Sequence, residues 1–187
     1  MRRLALLLLL TASSAFAQDS SFSAIRLRGA VLRLPVVGHI ADDWKPGTGG
    51  QVDVASNLGS SEISLSVGRI QFDPTTGRPP FTETLISLTW ARPVLRAGGL
   101  AFDAGARLTD VRLDFDDPGM VAGLRNEEEQ LISALGRART SLGAGYSGFV
   151  ETTYGVLMTS TRSPTMTVAV GLMWGGRMPK WLRDFLQ

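Results

Sequence analysis

The chain has 187 residues, no cysteine and a single histidine, His39. Without thiols there is no disulfide framework, so packing and hydrogen bonding alone must hold the fold. A zinc centre needs several nitrogen or sulfur ligands and is starved by the same shortage. A surplus of one charge is also missing. The chain carries 19 basic and 17 acidic residues, and setting aside Arg2 and Arg3 at its start leaves 17 of each. Nothing in that balance supports a basic surface for nucleic acid. Long apolar runs are absent after the first residues, each being interrupted within a few positions by Arg, Asp, Gly or Ser. None approaches the roughly 20 residues of a spanning helix, so any insertion into a membrane has to use strands.

The N-terminus reads as an export signal. Arg2 and Arg3 form a basic region, Leu4 to Leu10 an apolar stretch, and Ala15-Phe16-Ala17 a small-x-small cleavage site, the pattern of a secretory signal peptide. The expected organisation is a signal over 1–17, a β-barrel over 18–175 and an amphipathic tail over 176–187. The 21 glycines, many inside apparent strands, suit barrel walls that need small inward residues.

One stretch organises the remainder. In Thr165 to Trp174, the residues Met166, Val168, Val170, Leu172 and Trp174 share one parity, while Thr167, Ala169, Gly171 and Met173 share the other. Such alternation is a strand with one greasy face, long enough to cross a bilayer when tilted. The same rhythm predicts strands over 23–34, 51–57, 61–72, 82–92, 100–113, 139–146 and 149–160. Gly98-Gly99 and Ser147-Gly148 read as turns. Between 114 and 137, Met120, Leu124, Leu131, Ile132 and Leu135 recur at helical spacing, which predicts a short helix beginning near Pro118; an extended strand is the alternative. Trp181, Leu182, Phe185 and Leu186 form one stripe of a short C-terminal helix suited to an interface.

Charges keep to one side of this pattern. Arg26, Arg28, Asp53, Glu62, Glu83, Asp103, Arg107, Arg139 and Glu151 all oppose the apolar parity. Parity alone leaves open which face points inward. Longer, polar connections follow the first, third and fifth strands and short ones follow the second, fourth and sixth, the phase of an outer-membrane barrel with periplasmic turns and external loops.

With these features the chain resembles the outer-membrane protein β-barrel domain family, the small eight-stranded porin-like barrels of Gram-negative bacteria, over about residues 22–175. The resemblance rests on the signal, the strand rhythm, the first loop with Pro35 and Asp42-Asp43-Trp44-Lys-Pro-Gly47, and Gly171-Leu-Met-Trp174 closing the last strand. Thr167 to Trp174 also looks like the C-terminal signal read by the barrel-assembly machinery. The resemblance implies an eight-stranded antiparallel up-and-down transmembrane barrel in outer-membrane lipid.

On that reading Ile86, Leu88, Trp90, Phe102, Val168, Val170, Leu172 and Trp174 face lipid, with Trp181 at the interface. Arg26, Arg28, Glu62, Glu83, Asp103, Arg107, Arg139 and Glu151 form a paired charge network in a plugged lumen, because eight strands leave an interior just wide enough for side chains. No cofactor is implied. Gly143-Ala-Gly145-Tyr-Ser-Gly148 matches a dinucleotide fingerprint as a string, yet a strand follows where a helix is required. His39 has no serine in a nucleophile setting near it in sequence. Asp114, Asp116 and Asp117 lack the spacing of a calcium loop and read as a solvated rim. The expected role is non-enzymatic, structural or in surface interaction through the loops at 35–48, 73–80 and 114–138, whose extracellular partner the sequence does not name. The rivals are a soluble periplasmic lipid-binding barrel and a lipid-modifying membrane enzyme.

Overall fold

Each strand of this chain finds a partner on both sides, so no edge is left open. The computed structural model describes residues 24–34, 43–75, 77–116, 127–158 and 164–181. The strands are β1 Ala24–Leu34, β2 Gly47–Leu58, β3 Ser61–Phe72, β4 Phe81–Ala97, β5 Leu100–Phe115, β6 Glu127–Gly143, β7 Tyr146–Leu157 and β8 Pro164–Arg177. They pair in sequence order and antiparallel, and β8 returns to β1 through a register that sets Val31 against Val170. Closure satisfies every strand's backbone ladder, which is the only way a sheet survives without water along its edges.

Local chemistry sets the turns and the tightness of the wall. Gly98 and Gly99 both adopt positive φ, 54° and 85°, as a two-residue hairpin demands. At Gly171 a Cβ would lie 2.1 Å from the Gly29 carbonyl oxygen, so only glycine lets β8 coil this closely onto β1.

Several boundaries differ from those expected. The helix predicted within 114–137 is not formed by its described residues: β5 continues to Phe115, and β6 already begins at Glu127. Leu131 and Leu135 are four apart, a spacing that serves one face of a strand as well as a helix turn, and they lie inward while Ile132 lies outward. The turn between β6 and β7 falls at Ala144-Gly145, with Ala144 at φ 50°, rather than at Ser147-Gly148, which pair within the ladder. β8 runs on past Trp174 to Arg177. Of the C-terminal helix, Lys180 and Trp181 are helical. The expected signal peptide, His39, Asp117 and the last tail residues lie outside the described residues.

The two faces of the wall are inverted relative to a water-soluble barrel. Outward lie Leu27, Val31, Val52, Val54, Leu65, Val67, Ile86, Val150, Val170 and Leu172, all exposed, while Arg28, Asp53, Arg107, Arg137 and Glu151 are buried inside. Between Arg33, Arg69 and Asp110 on the loop side and Arg92 on the turn side, the outward positions of all eight strands are uncharged. Charge inside and hydrocarbon outside is the arrangement stable in lipid.

The interior is stratified along the axis. Near the short turns it is ionic. Towards the long loops it becomes apolar, with Leu32, Ile70, Leu85, Val111 and Leu131 packed together below Phe72 and Phe81. The polar lining expected of the lumen is found in the turn half, and the loop half is lined by hydrocarbon. Phe72 stacks on Phe81 at 4.4 Å, and Trp44 meets Phe81 edge-on at 5.4 Å. The returning leg of the first loop is pinned there, since Trp44 Nε1 donates to the Pro79 carbonyl at 3.1 Å and Lys45 N donates to the Asp73 carbonyl at 2.9 Å.

Candidate functional site

The ionic half of the lumen is the main concentration of buried charge among the described residues. Alternation along β1 puts Arg26 and Arg28 inward, two residues apart, and the register with β2 brings Asp53 directly opposite Arg28. Arg28 Nε donates to Asp53 Oδ1, and its Nη1 donates to Glu62 at 2.8 Å. Glu62, at the start of β3, also accepts from Arg26 at 2.9 Å and from Arg137 at 2.7 Å. On the opposite wall Glu151 of β7 accepts from Arg107 at 2.5 Å and from Arg137 at 2.8 Å. Arg107 Nε donates further to the Thr89 hydroxyl at 2.9 Å. Arg139 grips Asp103 with two nitrogens at 2.9 and 3.2 Å, the fork geometry that makes arginine–carboxylate pairs specific.

Arg137 is the hub. It reaches Glu62, Glu151 and, at 3.8 Å, Asp103, so it joins the two walls across the bore. Sequence reading assigned it to a loop helix and missed it. The signal was nevertheless present, because Arg137 and Arg139 share a parity with Ser133 and Leu135 once the strand is recognised. Asp53, counted among the sided charges, is the partner that was not assigned to Arg28.

Of the eight sequence-predicted network residues, the structure brings together Arg26, Arg28, Glu62, Asp103, Arg107, Arg139 and Glu151. Glu83 stands apart. It is buried between Phe81 and Leu85 on β4, makes no ion pair among the described residues, and its Oε2 lacks a hydrogen-bond partner. A cavity of about 10 Å³ reaches from it past Ser87 and Thr109 to Arg107, on the order of what one water needs. Outward positions hold Ile86, Trp90, Val170, Leu172 and Trp174 exposed and Leu88, Phe102 and Val168 half-buried; Trp181 is exposed.

Closed ring, inverted faces and alternating short turns and long loops are a specific combination. The structure of Neisserial surface protein A matches with a TM-score of 0.61 at 10% identity, over 86% of this chain and 100% of that one. The outer membrane protein OprG from Pseudomonas aeruginosa matches at 0.57 and 6% identity, over 86% and 99%. Ail of Yersinia pestis, in a phospholipid bilayer nanodisc, matches at 0.50 and 8% identity, over 82% and 99%. This is the fold of a small outer-membrane β-barrel. No family model matches the chain, and no curated protein does. The ionic lumen described above is read from this chain's own sequence, since identities of 6 to 10% carry the backbone and not its side chains.

Proposed function

We propose that this chain is a non-enzymatic outer-membrane β-barrel protein, held in lipid by its outward face and serving a structural or surface-interaction role through its loops. The inversion of its faces carries the reading: a soluble lipid-binding barrel would bury Val31, Val170 and Leu172 and expose Arg28 and Glu151, the reverse of what is seen. Burying three arginines is tolerable because carboxylates face them inside, whereas exposing a continuous apolar belt to water invites aggregation. Trp174, Tyr146 and Phe102 lie near the turn end of the strands, where aromatic side chains suit a membrane interface. Two of the serines inside are engaged structurally, Ser87 with Thr109 and Ser133 as donor to the Arg107 carbonyl, which favours a scaffold role for them. Outer-membrane lipid and the barrel-assembly machinery, reading the Thr167–Trp174 strand, are the partners this role requires.

Two measurements test it. The expressed chain is expected in the outer-membrane fraction, released by detergent and not by salt or carbonate. In planar bilayers the purified barrel is expected to give no steady conductance, because the apolar layer and the Trp44–Phe81 cap fill the bore. Recovery in the soluble periplasmic fraction, or a large steady conductance, contradicts the proposal.

A further inference from the structure

Among the described residues, the turn end of the lumen holds more positive charge than its carboxylates neutralise. Arg26, Arg28, Arg107, Arg137 and Arg139 share four carboxylates, those of Asp53, Glu62, Asp103 and Glu151. Glu62 alone serves three arginines, and Arg28 Nη2 is buried with no acceptor. The other carboxylates of inward parity among the described strands, Glu83, Glu127 and Glu129, lie towards the loop end; Glu83 meets Arg107 only across the small cavity described above, and none of the three pairs with these arginines.

A sixth arginine deepens the imbalance. The hairpin of β4 and β5 extends past β3, which pairs with β4 only as far as Glu62 opposite Ala91. An irregularity between Pro93 and Leu95 resets the alternation, and Arg96 lines a vestibule of about 300 Å³ open at the turn end of the bore. Arg96 makes no ion pair among the described residues. Three arginines from three strands, Arg26, Arg96 and Arg139, line this space with the hydroxyls of Ser60 and Ser61 and the amide of Asn57, and the two carboxylates that also line it, Glu62 and Asp103, are engaged by Arg26 and Arg139. The Asn57 carbonyl oxygen already accepts from Arg26, so its NH₂ group remains as a donor. Low-dielectric walls focus the field of these charges into the opening.

We propose that this vestibule is a binding site for a phosphate group, either as free inorganic phosphate or as the phosphomonoester of a small solute. Arginine's planar fork matches a tetrahedral oxyanion in charge and geometry. The bound dianion supplies Arg96 with the counter-charge it has from no carboxylate among the described residues. Only the side of the membrane from which it enters, the periplasm, rests on the membrane reading above; the site itself does not.

The full chain folded in nonionic detergent is titrated calorimetrically at low ionic strength with inorganic phosphate, glucose 6-phosphate and glucose. One saturable site per chain is expected for both phosphate compounds and none for glucose. Tighter binding of glucose 6-phosphate assigns the site to an organic phosphate, and equal binding assigns it to the free ion. Arg96→Ala, which breaks no ion pair and is expected to keep its heat-modifiable gel mobility, weakens phosphate binding about tenfold. Arg69→Ala, on the outer face near the loops, leaves it unchanged. Absence of saturable phosphate binding, equal affinity in Arg96→Ala, or binding of glucose as strong as that of its phosphate overturns the proposal. Because the titration is done in micelles, it stands or falls independently of cell fractionation.

Discussion

Arg137→Ala is expected to destabilise the barrel by about 1.5–3 kcal/mol, since it removes charge-assisted hydrogen bonds to two buried carboxylates that keep their other arginine partners. Arg137 contributes to Glu62 and Glu151 on opposite walls, and both carboxylates would keep their burial while losing a shared cation. The remaining arginines cannot swing across, because Arg107 is already held by Thr89 and Arg28 by Asp53. By contrast, Arg78→Ala removes a partly exposed pair with Asp43 at 3.4 Å, worth on the order of 0–1 kcal/mol. Urea unfolding in detergent, followed by tryptophan fluorescence and by heat-modifiable mobility, separates the two. Equal midpoints for the two variants would show that the network contributes nothing beyond a surface pair.

Val170→Arg is expected to cost about 2–4 kcal/mol if its site lies at mid-bilayer. Val170 sits between Val31 on β1 and Val150 on β7, and all three point outward, so an arginine there has no polar neighbour on either strand. Leu100→Arg, at the turn end where β5 begins, has water within reach and should cost on the order of 0–1 kcal/mol. The depth dependence separates lipid from water as the outer solvent. In a water-soluble barrel both changes would place an arginine on a wet surface with little effect. Folding yields into liposomes, compared at the two positions, report the difference.

How much of this was legible depended on how cleanly each strand kept its two faces distinct. β8 and β3 were plain because hydrophobic residues alternate with small or polar ones. Inward glycine, serine and alanine against outward valine and leucine leave little doubt about period two. β6 was opaque for the opposite reason. Its inward face carries Leu131 and Leu135 where the bore is apolar, and its outward face carries Ile132, Ala134, Gly136 and Ala138, so the alternation vanishes and a helix competes on spacing. That misreading hid Arg137, the residue that joins both walls. The apolar plug was missed for a related reason. Leu32, Ile70 and Leu85 share parity with charges further down their own strands, and only the registers between strands reveal that they meet at one level. The sidedness of the charges was readable, and which side is inside was not. Deciding that required the burial of Arg28 and Glu151 together with the exposure of Val31 and Val170.

Solvation of the outward face by lipid is open to direct measurement in a chain without cysteine. Val170→Cys and Gly77→Cys are each introduced singly, and the protein is treated in intact outer membranes with a membrane-impermeant, water-soluble thiol reagent and, separately, with a lipid-soluble one. Gly77 is exposed beside the β3–β4 loop with open space around it and should react rapidly with the water-soluble reagent. Cysteine at 170 should resist that reagent in membranes and react with the lipid-soluble one, then become accessible after denaturation. Labelling of position 170 by the water-soluble reagent as fast as position 77, with the barrel folded and membrane-bound, would contradict the account.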